Sequence, residues 1–112
     1  MEARLLSFSE RRLAGLLRRA ALQHVRRELR DAQATLEQTL FLVERSGRAG
    51  WLGAVPFLRA WSEALGGERE SAACVAPAAW IHLAQELASL VESGTDWVGY
   101  LENRWQIGRA HV

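Results

Sequence analysis

Residues 9–45 read SERRLAGLLRRAALQHVRRELRDAQATLEQTLFLVER, and they decide the fold because no other segment is as long without a strong helix breaker. The apolar residues in it recur every three or four positions, which places them on one face of an α-helix. This stripe consists of Leu13, Leu17, Ala21, Val25, Leu29, Ala32, Leu36, Leu40 and Val43. The pattern predicts one long amphipathic helix, or two helices in near-continuous register, about 55 Å long at 1.5 Å per residue.

Both ends of this segment carry signals for a helix terminus. Ser7 and Glu10 have the spacing of a capping box, in which each side chain satisfies a free backbone N–H of the other. In an alternative start Ser9 is the cap, and Phe8 belongs to a hydrophobic staple. Gly47 provides a left-handed stop at the other end.

The rest of the chain predicts three shorter helices. A glycine-punctuated connector at residues 47–53 leads into a helix at residues 56–65, and a further helix occupies residues 77–94. The last helix begins after a cap at Thr95 or Asp96. No segment alternates with the period of a β-strand. We therefore expect an all-α fold, a small bundle of about four helices with one long amino-terminal helix.

Five tryptophans in 112 residues give this chain an unusual supply of large aromatic side chains. Four of them fall on the predicted apolar helix faces, so we expect core packing for Trp61, Trp80, Trp97 and Trp105. Trp51 lies in the glycine connector, and we expect its side chain to be exposed.

The net charge of +1 hides an uneven distribution. Residues 1–30 hold eight Arg against three Glu, a net +5, whereas residues 31–112 have a net charge of −4. There is no Lys, which is typical of a GC-rich genome such as metagenomic samples often contain. The position of the cations is therefore more informative than their chemical type. The candidate binding residues on this basic surface are Arg11, Arg12, Arg18, Arg19, Arg26, Arg27 and Arg30.

Two functions fit these features. The first is a non-enzymatic helical protein-interaction or oligomerisation module, because the apolar stripe is longer than the remaining helices can cover. The alternative is a nucleic-acid-binding protein whose Arg-rich face neutralises phosphates. A membrane surface is the least favoured partner, and charge patterning alone is weakly specific for any of these partners.

Residues that could support catalysis or metal binding do not converge in the sequence. His82 and Glu86 are one helical turn apart, but no third ligand accompanies them, so an exposed polar pair is expected.

Cys74 lies among alanines, where a buried inert thiol is usual, and His24 borders the apolar stripe. The glycines at 47–53 lack the flanking residues of a phosphate-binding loop. The sequence favours a protein without catalytic residues, metal or cofactor.

Cysteine use and hydropathy predict a cytoplasmic location. Cys74 is the single cysteine, which excludes an internal disulfide and favours a reducing compartment. The longest apolar run, residues 72–81, is too short to cross a bilayer.

The last six residues, IGRAHV at 107–112, match one reading frame of a widely used sequencing adapter, ATC GGA AGA GCA CAC GTC. The adapter begins with AG, and Gln106 has a codon that ends in these two bases. We therefore expect residues 107–112 to be adapter read-through, and residues 1–106 to be one helical domain truncated at its carboxyl end.

Overall fold

Residues 9–45 fold into two antiparallel helices in the computed structural model. The structure describes residues 7–66 and 77–110, and it describes side chains for residues 7–66 and 78–104. Helix α1 spans Phe8–Val25 and helix α2 spans Leu29–Arg45. The end of α2 lies beside the start of α1, where Arg48, just after α2, donates a hydrogen bond to Ser7 Oγ at 3.0 Å. Both predicted forms, one long helix and two helices in near-continuous register, are therefore wrong, because α1 and α2 form a hairpin.

The turn between α1 and α2 is a Schellman motif built around Arg27. The backbone N–H of Glu28 donates to the carbonyl of Gln23 at 2.9 Å, and that of Arg27 donates to His24 at 3.0 Å. Arg27 has a φ of +60°, the left-handed conformation that usually belongs to glycine at this position. Because an arginine occupies it, the sequence carries no visible stop signal.

Burial of both halves of the apolar stripe accounts for the hairpin. A continuous helix of about 55 Å would leave much of its stripe in water, because the three later α-helices that the structure describes have only 11, 17 and 14 residues. Folding back buries Leu13 and Leu17 of α1 together with Leu36 of α2. Val25 and Leu29, which flank the turn, stay 56% and 41% exposed.

The amino terminus of α1 confirms the predicted capping box. Ser7 Oγ accepts the backbone N–H of Glu10 at 3.1 Å, and the Glu10 carboxylate accepts the backbone N–H of Ser7 at 3.1 Å. Ser7 is therefore the cap, and the alternative start at Ser9 is not used. Gly47, with a φ of +73°, adopts the left-handed conformation that was expected beyond α2.

The remaining helices follow the predicted order. A 3-10 helix at Ala49–Ala54 leads directly into α3, Val55–Leu65, which has Pro56 in its first turn. Helix α4 spans Pro77–Ser93, and α5 spans Trp97–Ala110. Over the described residues the chain is all-α and has no strand. None of these helices is both long enough and apolar enough to cross a membrane.

The predicted end of α4 at Gly94 and the predicted cap of α5 at Thr95 or Asp96 agree with the structure. Gly94 has a φ of +79°, and Thr95 donates its N–H to the Leu90 carbonyl at 3.1 Å, so α4 ends in a second Schellman motif. Asp96 Oδ1 accepts the N–H of Gly99 at 3.1 Å, which caps α5. The backbone of α5 continues through residues 107–110, and adapter read-through at 107–112 stays a prediction.

The helices pack around a single cluster of buried side chains. Helix α1 lies between α2 and α4, α3 covers α2, and α5 packs on the 3-10 helix and on α4. Trp61 and Trp80 stack with an interplanar angle of 4° and a centroid distance of 6.3 Å, and Phe57 contacts both rings. These aromatic rings join α3 to α4 at the centre of the core.

The structure confirms some of the predicted tryptophan environments and contradicts one. Trp61, Trp80 and Trp97 are buried as expected, whereas the side chain of Trp105 lies outside the described residues. The prediction for Trp51 is wrong, because its side chain is only 7% exposed. The 3-10 helix turns the Trp51 ring onto Trp97, at a centroid distance of 5.9 Å.

Candidate functional site: an apolar groove on the helical hairpin

A groove of about 640 Å³ runs between the start of α1 and the end of α2, where the two helices lie side by side. We call it the Phe8–Phe41 groove. It is lined by Phe8, Ser9, Arg12, Ala34, Glu37, Gln38, Phe41, Leu42, Arg45 and Ser46. Apolar atoms make up most of the lining surface, although only four of the ten lining residues are apolar and another three, Arg12, Glu37 and Arg45, are charged.

The two phenylalanines give the groove its character. Phe8 is 78% exposed and Phe41 is 63% exposed, so both rings meet water although large aromatic side chains gain most from burial. The guanidinium of Arg45 lies 5.2 Å from the centroid of the Phe41 ring, which it partly covers. Arg12 on α1 and Glu37 on α2 are the other charged residues that line the groove.

The position of Phe41 follows from the local sequence. Residues 40–43 are four consecutive apolar residues, and a helix cannot place all four on one buried face. Val43 is fully buried in the core, while Phe41 points to the opposite side of α2. This run of four is a sequence signal for an exposed aromatic, which the prediction of a single apolar stripe did not include. Phe8 was predicted only as part of a possible staple.

The seven arginines that were predicted as candidate binding residues are all exposed. Arg18 is bound within the molecule, since its guanidinium forms an ion pair with Glu92 of α4 and a hydrogen bond with Ser89 at 3.5 Å. The bond to Glu92 raises the pKa of Arg18 and lowers the pKa of Glu92. Within the described residues no ion pair to a carboxylate is formed by Arg12, Arg19, Arg26, Arg27 or Arg30.

The structure sorts these arginines by helix face. Arg12 and Arg19 lie two turns apart on the side of α1 where Arg12 lines the Phe8–Phe41 groove, and Arg26, seven residues further on, directly follows the last turn of α1. We call these three residues the arginine row. Arg11 and Arg18 lie on the adjoining strip toward α4, while Arg27 and Arg30 lie at the hairpin turn and the start of α2.

A second cleft, of about 230 Å³, lies where α1, the 3-10 helix and α5 begin. Its polar groups are already bonded to their neighbours. Glu10 accepts within the capping box and lies 3.9 Å from Arg48, whose guanidinium is 4.8 Å from the Trp51 ring. Asp96 caps α5. These interactions fix helix ends, so the cleft has a structural explanation.

His82, Glu86 and Tyr100 form a small surface network between α4 and α5. His82 Nε2 lies 2.8 Å from Glu86 Oε1, as the predicted exposed pair requires, and the Tyr100 hydroxyl donates to Glu86 Oε2. The hydrogen bond from Tyr100 lowers the pKa of Glu86, and the same bond raises the pKa of Tyr100. In the described ranges no three His, Cys, Asp or Glu side chains are grouped so as to hold a metal ion.

His24 is a packed histidine at the boundary of the core, as expected. Its Nδ1 accepts a hydrogen bond from Trp61 Nε1 at 3.1 Å, and burial lowers its pKa. The predicted inert thiol, Cys74, lies outside the described residues.

The chain matches no protein-family model, no curated protein and no solved structure. A functional interpretation starts from the geometry of the Phe8–Phe41 groove and the arginine row.

Proposed function

We propose that this protein is a non-enzymatic helical interaction module that binds another protein, or a second copy of itself, through the Phe8–Phe41 groove. The observation that supports this proposal is the exposure of Phe8 and Phe41 on the two sides of one groove. Aromatic residues are enriched where protein surfaces bind one another, because they bury much apolar area with few rotatable bonds.

The reason for the proposal differs from the one that the sequence suggested. In the sequence, the interaction function follows from a stripe too long for the rest of the chain to cover, but the hairpin covers most of that stripe internally. Phe8 and Phe41 lie outside the core cluster, so neither ring adds buried apolar area to the core. A binding partner would remove both rings from water.

Site-specific photo-crosslinking tests the proposal. A photoreactive phenylalanine analogue is placed at Gln38, inside the groove, and at Leu52, an exposed apolar residue outside it, as the matched control. In cells that produce the protein, we expect a discrete crosslinked product from position 38 that Phe41→Asp abolishes, and none from position 52. A monomer by sedimentation velocity that gives no crosslink at position 38 would refute the interaction function.

Nucleic-acid binding through the exposed arginines is the second candidate. Its support is the exposure of Arg11, Arg12, Arg18, Arg19, Arg26, Arg27 and Arg30. Phosphate binding would make the affinity for duplex DNA or RNA fall steeply with salt, with a slope that decreases by about one for each phosphate-binding arginine that is replaced. Binding that does not depend on salt, or that survives replacement of these residues by Ala, would exclude this candidate.

A cytoplasmic location remains part of the proposal. It is supported by the single cysteine of the chain, which is typical of proteins in a reducing compartment.

A further inference from the structure

We propose that the occupant of the Phe8–Phe41 groove is an acidic amphipathic helix, whose carboxylates recur every seven residues and pair with the arginine row. This inference rests on the proposed interaction function and specifies the chemistry of the partner. Arg12 and Arg19 are separated by two helical turns, about 10.5 Å along α1 at 1.5 Å per residue, and Arg26 continues the seven-residue spacing at the C-cap of α1. A second helix beside α1 repeats its own side chains at the same interval.

The charge of the arginine row is available to a partner. Arg18 on the neighbouring strip forms an ion pair with Glu92 of α4, so an arginine on this surface can pair with a carboxylate from another helix. Asp31 and Glu37 on α2 are both exposed, and neither forms an ion pair with the row in the described part of the chain. A partner with carboxylates at matching intervals would provide the missing counter-charges.

The apolar part of the groove discriminates between classes of partner. Phe8, Phe41 and Leu42 offer a surface for apolar side chains, which is how a groove between two helices holds a third amphipathic helix. A nucleic-acid strand would use the arginines but would place phosphates and sugars against the phenylalanines. Its charges also recur at about 3.4 Å of axial rise per strand, far closer than the arginines. An acidic helix matches both features at once.

A peptide selection tests the proposal without assuming a natural partner. The library consists of 21-residue helical peptides with apolar residues at two positions of each heptad and a free choice of Glu, Lys or Gln at the flanking positions. The full-length protein is the bait, and a Phe8→Ala/Phe41→Ala variant removes peptides that bind elsewhere. We expect Glu to be enriched at seven-residue spacing on one flank.

The selected peptide is then measured against charge variants. We expect the triple variant R12Q/R19Q/R26Q to weaken its affinity at least tenfold, and added salt to weaken binding to the unsubstituted protein in the same direction. The control R59Q/R104Q removes two exposed arginines from α3 and α5, and the affinity of this variant for the peptide should stay within twofold. Circular dichroism and thermal melting establish that all variants retain the fold.

Other outcomes separate this inference from the function on which it rests. Enrichment of Lys or Gln, with binding still abolished in the Phe8→Ala/Phe41→Ala variant, would overturn the acidic partner and leave the interaction function intact. An absence of any enriched peptide would overturn the inference as well, and photo-crosslinking at position 38 would then decide whether the groove binds a protein at all. Salt-sensitive binding of a labelled DNA duplex that requires the arginine row but neither phenylalanine would overturn it in favour of nucleic acid.

Discussion

The indole N–H of Trp61 in α3 donates a hydrogen bond to Nδ1 of His24 in α1, at 3.1 Å. An imidazole that accepts at Nδ1 is neutral and carries its proton on Nε2, since protonation of both nitrogens leaves two donors and no acceptor. The hydrogen bond therefore ties two helices together only while His24 is uncharged.

This hydrogen bond predicts a pH-dependent stability. Burial lowers the pKa of His24 in the folded protein from its ordinary value of 6.5, which applies to the unfolded chain. Between the two values the unfolded chain binds more protons, so the free energy of unfolding falls as the pH falls from 6.5 toward the folded-state pKa. Above pH 6.5 the contribution is fully present. Urea denaturation at pH 7.5 and 5.5 measures the difference.

The His24→Gln variant should not show this dependence, because an amide can accept from the indole without titrating over this range. His82→Gln is the matched control, since His82 is 66% exposed and lies away from the core. The hydrogen bonds from Tyr100 and Arg18 lower the pKa values of Glu86 and Glu92, which moves the titration of both carboxyls away from this interval. An unchanged pH dependence in His24→Gln would refute the assignment.

The capping box predicts a difference between two neighbouring serines. Ser7→Ala removes the cap of α1 and an acceptor of Arg48, so it should lower the free energy of unfolding by about 1–2 kcal/mol. Ser9→Ala, in the first turn of α1, should change it by less than about 0.5 kcal/mol. Equal decreases in denaturant titrations would mean that Ser7 is not the cap.

The hairpin turn predicts that glycine stabilises one position and destabilises its neighbour. Arg27→Gly relieves a left-handed conformation and should raise the free energy of unfolding by about 0.5–1 kcal/mol, after the greater entropy of glycine in the unfolded chain. Arg26→Gly, where φ is −80°, should lower it by about 0.5–1 kcal/mol. In a continuous helix both substitutions would destabilise by about 1 kcal/mol. Chemical denaturation of the two variants thus distinguishes the hairpin from the long helix.

Two glycines of the 3-10 helix should respond differently to alanine. A Cβ at Gly53 would lie 2.6 Å from Glu102 Oε1 and 2.8 Å from Val98 Cγ1 on α5, whereas a Cβ at Gly50 meets no atom within 4 Å. The Glu102 side chain can move aside, but a valine has little rotamer freedom on a helix. Gly53→Ala should therefore lower the free energy of unfolding by about 1–2 kcal/mol.

Gly50→Ala should be within about 0.5 kcal/mol of the unsubstituted protein, because the added methyl group enters open space. Thermal melting of both variants provides the comparison. If the two glycines tolerated alanine equally, the close approach of the 3-10 helix to α5 would be incorrect.

Some elements of this protein were determined by the sequence itself. The start of α1, the end of α4 and the start of α5 depend on side chains and glycines within a few residues of the helix terminus, at Ser7, Glu10, Gly94 and Asp96. Capping is a local interaction, so it can be recognised without knowledge of the rest of the fold. The all-α class follows from the same periodicity and caps.

Tertiary structure alone decided the hairpin, the burial of Trp51 and the groove. Arg27 adopts a left-handed φ because burial of both halves of the stripe outweighs the local cost of about 1–2 kcal/mol. An arginine at this position gives no sequence signal for a left-handed conformation. Trp51 is buried because α5 places Trp97 beside it. Phe8 and Phe41, which are far apart in the chain, border one groove only after α1 and α2 fold against each other. Interactions between distant segments depend on how the helices pack, which local sequence patterns do not encode.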